Sequence, residues 1–220
     1  RDVAPSRGLG DVYKRQALMI AIIDYGVGNL FSLCSSLSSI GAQAIVTSDI
    51  DTIKSADKLI LPGVGAFADA AQKLRESGMD VVVKEQAASG KDIMGICLGM
   101  QLLFEKSFEY GEHEGLGLLK GSVIPMEGTI PKNLKIPHIG WNALHFSKPS
   151  GLFKYINQSD CVYFVHSYYA TDCDDSVIAT TEYGKEMTAA VELGNIKGCQ
   201  FHPEKSGKVG LAILKAFCEG

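Results

Sequence analysis

Short unbroken apolar runs alternate with amphipathic stretches over residues 19–106, and no other feature constrains the fold as tightly. MIAIIDY (19–25) precedes NLFSLCSSLSSI (29–40), and AIVTS (44–48) and KLILP (58–62) follow. Two helical segments lie within 66–89 and break near Gly78, and DIMGIC (92–97) leads into a helix LGMQLLFEK (98–106). A strand that is apolar along its whole length is buried on both faces, so the runs predict a mostly parallel sheet with helices on each side. The expected fold class is α/β, a three-layer doubly wound sheet. After Gly111 the grammar changes to strand-like runs separated by Gly, Pro and Asn: LGLLKGSVIPM, KIPHIGWNALHF, CVYFVHSYYA, SVIATTEY and MTAAVELGNIKGCQF. These predict antiparallel additions to the sheet in the C-terminal half, with a hairpin turned at Gly194-Asn195, where Gly supplies positive φ at the first corner. SGKVGLAILKAFCEG (206–220) reads as a closing helix.

Composition narrows the function classes. The chain carries 21 Lys and Arg against 25 Asp and Glu, a formal net charge of −4 with no basic block. Nothing in it collects the phosphates of a nucleic acid. The longest apolar run, residues 17–23, falls far short of the roughly 18 residues that span a bilayer, so no membrane association is expected. Lys14 and Arg15 before that run imitate a secretory signal, but Asp24 follows at once without a small-residue cleavage site. The six cysteines form no Cys-x-x-Cys pair and have no His at finger spacing, which indicates neither a zinc site nor a disulfide framework. Reduced thiols in a cytoplasmic protein, with no metal and no cofactor, are the expectation.

Residues 1–18 lack either hydrophobic period and an initiating Met, and Arg1, Arg7, Lys14 and Arg15 outnumber Asp2 and Asp11 there, unlike the acidic remainder. They read as a foreign or disordered extension, leaving 19–220 as one domain that begins at Met19.

Three places concentrate chemistry. Gly95-Ile96-Cys97-Leu98-Gly99 stands where a buried strand passes into a helix, the arrangement of a nucleophile elbow with Cys in place of Ser. The following helix N-terminus would favour the thiolate of Cys97. Taken alone, the pentapeptide reads equally well as a core cysteine in a glycine turn. Gln200-Phe201-His202-Pro203-Glu204 stands just before the last helix, where ligand crevices of doubly wound sheets open. His202 there can carry a proton for Cys97, and Glu204, on the same side of an extended segment, can hold the ring by its other nitrogen. By itself, His-Pro-Glu is an ordinary surface turn. Pro62-Gly63-Val64-Gly65 follows the third strand, and two glycines around one residue let backbone N–H groups approach a developing negative charge; the alternative is a plain strand-to-helix turn. Gly26-Val27-Gly28 begins like a dinucleotide fingerprint, but Phe31 replaces its third Gly, and it reads as a phosphate turn or a structural bend.

GICLGMQ, PGVGAF and HPEKS, in this order and over nearly the whole of 19–220, resemble a class I glutamine amidotransferase. DYGVGNL (24–30) and PHIGWN (137–142), with no fused synthase domain, are similar to the glutaminase subunits of imidazole glycerol phosphate synthase. The resemblance implies a flavodoxin-like fold, L-glutamine as substrate, Cys97 as nucleophile, His202 as general acid and base, and Glu204 as its orienter. It implies an oxyanion site built from the N–H of Leu98 and one from Gly63, Val64 or Gly65. It implies glutamine contacts from Gln101 and from backbone around His166, Ser167 and Tyr168, although His166 also reads as a packed strand histidine. The implied partner is a (β/α)8 cyclase subunit that receives ammonia, with His138, Trp141 and Asn142 as the expected interface; a core Trp beside a β-turn is the competing reading. The glycine loop is further implied to hold its amides away until that partner is loaded. A glutaminase serving another synthase, for pyridoxal phosphate or aminodeoxychorismate, and a catalytically silent α/β binding subunit are the rival readings.

Overall fold

The computed structural model describes residues 18–220, so apart from Leu18 the expected extension lies outside the described residues. The first half runs β1 (Met19–Ile23), α1 (Leu30–Ser39), β2 (Gln43–Thr47), α2 (Ile50–Ser55), β3 (Lys58–Leu61), α3 (Phe67–Glu76), α4 (Met79–Ala88), β4 (Asp92–Ile96) and α5 (Leu98–Leu102). Next come β5 (Phe104–Ser107), β6 (His113–Glu114), β7 (Leu119–Pro125), β8 (His138–Ala143), β9 (His145–Phe146), β10 (Cys161–His166) and β11 (Tyr168–Thr171). The chain ends with β12 (Val177–Glu182), β13 (Glu186–Leu193), β14 (Ile196–Cys199) and α6 (Gly207–Glu219).

The main sheet has the order β2-β1-β3-β4-β14-β13-β12-β9. Its pairs from β2 to β14 are parallel, and those from β14 to β9 are antiparallel. Alternate residues of one strand serve opposite faces. Ala21 and Ile23 pack with Ile53, Phe67, Leu74 and Val83 of α2, α3 and α4, whereas Ile20 and Ile22 pack with Leu33, Leu37, Ile213 and Phe217 of α1 and α6. Both faces of β1 are thereby covered, while the edge strand β2 has no buried residue, and the three-layer doubly wound expectation holds. No helix among the described residues is long and apolar enough to cross a membrane.

The structure corrects the sequence reading in two places. The helix expected over 98–106 stops at Leu102, and Phe104–Ser107 instead form β5, pairing in parallel with β7 and antiparallel with β6. An unbroken run such as Leu102-Leu103-Phe104 carries no period, so pairing with the strands that follow decides its state. α2 is a six-residue helix between two predicted strands; Asp49 caps it by accepting from Thr52 N at 2.8 Å. Only β13, β12 and β9 extend the main sheet antiparallel, while the remaining strands form a four-stranded sheet (β11-β7-β5-β6) and a ribbon of β8 with β10. The Gly194-Asn195 hairpin is present, with Gly194 at φ 58°.

Candidate active site

Cys97 is the first residue beyond β4, held at φ 53° and ψ −113°. A non-glycine residue with positive φ stores strain that surrounding packing must maintain. That packing is visible in the two glycines beside it. A Cβ on Gly99 would lie 1.9 Å from Leu61 O, and one on Gly95 would lie 2.7 Å from Gly99 O. The turn therefore closes only with glycine at both places. Its helix, α5, is five residues long, so its dipole is weaker than that of the nine-residue helix expected from sequence.

β14 lies directly beside β4 in parallel register, Cys199 opposite Ile96, and Cys97 N donates to Cys199 O at 2.7 Å. The two strand ends thus deliver Cys97 and the 200–204 segment to one place despite a hundred intervening residues. His202 N donates to Tyr163 O at 3.0 Å, and Ser206 Oγ ties His202 O to Tyr163 N at 2.6 and 2.9 Å. Pro203–Lys205 form a 3-10 turn rather than the extended segment expected, yet His202 Nδ1 still meets Glu204 Oε1 at 2.8 Å. Both side chains are buried, and Glu204 Oε2 has no hydrogen-bond partner. Burial works to lower the pKa of His202, but the neighbouring Cys97 sulfur and the hydrogen-bonded Glu204 carboxylate outweigh it and raise it to about 9.

Cys97 and His202 open onto a cavity of about 590 Å³ whose lining includes Val64, Gly65, Leu98, Gln101 and the 166–168 segment. That volume suits a small molecule. Gln101 is buried, and its amide nitrogen donates to Tyr168 O at 3.2 Å and to Gln200 Oε1 at 3.0 Å. Ser167 O accepts from Met126 N at 2.9 Å, and Tyr168 O also accepts from His166 Nδ1 at 2.8 Å. The carbonyls of this wall are committed within the fold. Tyr110, at φ 53° and 88% exposed, stands edge-on to Tyr168 at the cavity.

His166 Nε2 lies 3.0 Å from His138 Nδ1, and His138 Nε2 lies 2.9 Å from Asn142 Oδ1. Burial pushes His166 down to about 3; the Tyr168 hydrogen bond opposes this, while His138 and His202 add repulsion. His138 is lowered too, by burial against its bond to Asn142. His138 is 1% exposed and stacks on Tyr183 and Phe164, which corrects its placement at a partner surface. Asn142 is half-buried and spends its side chain on His138 and Glu182 O. Of the three expected interface residues only Trp141, 55% exposed, is largely open to solvent, so it is not a core tryptophan.

The glycine loop packs on the elbow. A Cβ on Gly63 would lie 2.7 Å from Gly99 N, whereas one on Gly65, at φ 92°, would meet nothing within 4 Å. Tyr25 Oη donates to Pro62 O at 2.7 Å from a buried position, which pins the start of the loop. Tyr25 and Gln200 lie within the DYGVGNL and QFHPE segments, but nothing local marks them as part of this site.

The family described as glutamine amidotransferase class-I matches residues 21–219. The imidazole glycerol phosphate synthase subunit HisH of Lactococcus lactis is 51% identical over 91% of this chain and 98% of its own, and that of Aquifex aeolicus is 48% identical over 89% and 94%. Among solved structures, PurLQS from Thermotoga maritima superposes with a TM-score of 0.71 at 20% identity, over 92% of this chain and 98% of that one, a likeness of fold.

Proposed function

The chain belongs to the class-I glutamine amidotransferases, among the HisH subunits of imidazole glycerol phosphate synthase, and on that premise we propose that it hydrolyses L-glutamine to glutamate and ammonia through Cys97, His202 and Glu204. The ammonia passes to a (β/α)8 cyclase subunit that makes imidazole glycerol phosphate and AICAR in histidine biosynthesis.

The observation that carries this reading is the strained Cys97 opening onto the same cavity as His202, whose Nδ1 is held by a buried carboxylate. With Nδ1 committed, Nε2 is left for the sulfur. The Cys97 sulfur attacks the side-chain amide carbon of glutamine. N–H groups of Leu98 and of the Gly63–Gly65 loop receive the oxyanion, each worth on the order of 3 kcal/mol. His202 gives its proton to the departing ammonia, and water, deprotonated by His202, then cleaves the glutamyl thioester and frees the sulfur. Gln101 and the 166–168 segment hold the substrate. The unobstructed Gly65 lets the Val64-Gly65 peptide turn when the partner is loaded, and Trp141 with Ile139, alternate residues on the outer face of β8 and both exposed, forms the partner's docking surface.

Glutamate release from glutamine, measured with and without the cyclase carrying its phosphoribosyl aminoimidazole carboxamide substrate, tests the reading. Slow turnover alone and fast turnover in the loaded complex are expected; no glutamate release in either state would overturn it.

A further inference from the structure

Gln200 is fully buried one residue beyond β14, and the proposed chemistry gives it no task. Its side chain nevertheless bridges two residues of the site. Gln101 Nε2 donates to Gln200 Oε1 at 3.0 Å, and Gln200 Nε2 points to Cys97 Sγ at 3.8 Å.

Donor counting fixes which way this bridge runs. A side-chain amide has two N–H donors on one end and only acceptors on the other. Tyr168 O is a carbonyl and accepts only, so the nitrogen end of Gln101 must face it, at 3.2 Å. The second N–H of Gln101 then goes to Gln200, which must present its oxygen to Gln101 and its nitrogen to the sulfur. Reversing the Gln200 amide would set two NH₂ groups against each other and an oxygen against Cys97. Besides the His202 ring, whose proton affinity the sulfur raises, the other hydrogen-bonding group close to the sulfur is Val165 O, an acceptor at 4.0 Å, which suits the thiol and opposes the thiolate. An N–H held on sulfur has the opposite preference, because hydrogen bonds to an ionised acceptor are about twice as strong as neutral ones.

We propose that Gln200 is a positioning residue, locked by Gln101 with its N–H on the Cys97 sulfur, that favours the ionised nucleophile over the thiol. This rests on Cys97 being the nucleophile. The chain Tyr168 carbonyl, Gln101, Gln200, Cys97 also ties the substrate wall to the reacting atom, so one side chain links a binding group to sulfur ionisation.

The test is the pH dependence of Cys97 alkylation by iodoacetamide in the full chain, read by peptide mass so that the other cysteines do not contribute. Wild type is compared with Gln200→Met, which keeps the length and removes the donor, and Gln200→Glu, which puts a carboxylate oxygen against the sulfur. The expected result is a midpoint about one pH unit higher in Gln200→Met and higher still in Gln200→Glu, with kcat for glutamine lowered about tenfold in Gln200→Met. A role in packing alone would lower thermal stability without moving the midpoint. Wild-type midpoints in whichever of the two variants folds would overturn the proposal. A shifted midpoint in a protein that hydrolyses no glutamine would sink the glutaminase reading and leave this one standing, whereas normal hydrolysis with an unshifted midpoint removes this one alone.

Discussion

His202 and His166 line the same cavity and are both buried, yet their proton affinities move in opposite directions, up to about 9 and down to about 3. Burial acts downward on each. What differs is the company. His202 has a carboxylate on one nitrogen and the Cys97 sulfur for a neighbour, and both raise its proton affinity. His166 has a carbonyl on one nitrogen and a second imidazole on the other, and His138 repels a charge there. On the proposed mechanism one histidine exchanges protons and the other holds a wall in place, and exposure alone distinguishes neither.

The largest effect that would break this contrast is on turnover. Glu204→Gln keeps the size but removes the charge that favours imidazolium, so kcat should fall roughly 10²–10⁴-fold, with little change in KM. Steady-state kinetics in the loaded complex checks this, and a loss under about threefold would place the drive on His202 elsewhere. His166→Asn should act on the wall, raising KM for glutamine about tenfold while kcat holds within a few-fold. Trp141→Ala, away from both rings, should weaken cyclase binding about 30-fold in a titration, the scale of a 2 kcal/mol anchor, without altering glutamine turnover in the saturated complex.

Stability against pH sharpens the same comparison. An unfolded histidine titrates near 6.5. The folded pKa of His202 is higher, so its pairing stabilises the fold fully below about pH 6.5 and is lost as pH rises through about 9. The folded pKa of His166 is lower, so below about pH 6.5 the unfolded chain takes up a proton the fold refuses, and stability falls toward pH 3. Thermal unfolding across pH should therefore decline on both sides. His166→Asn should soften the acid limb only, and Glu204→Gln should move the alkaline limb to lower pH.

The parallel half of the fold was legible because strands buried on two faces are apolar without interruption, as Ile20 to Ile23 are. The elbow was legible because both of its glycines stand two residues from Cys97, although what excludes a side chain at Gly99 is Leu61 O of β3. β5 was not, since its run carries no period of its own and only its pairing with β6 and β7 makes it a strand. The interface reading of His138 missed a signal that was present. In a strand, positions 138 and 142 share a face and 141 takes the other, so one alternation predicts that His138 and Asn142 meet inside while Trp141 faces out. Gln200 carried no such signal, because its meaning depends on Gln101 and Cys97 arriving from another strand.

The most direct measurement is capture of the intermediate. Wild-type protein with its loaded partner is mixed with glutamine, quenched in acid within the first turnovers, digested and weighed peptide by peptide. A mass increment of one glutamyl group on the peptide bearing Cys97, lost on hydroxylamine treatment, is the expected result. Glutamate release at the wild-type rate from Cys97→Ala, with no adduct on any peptide, would contradict it.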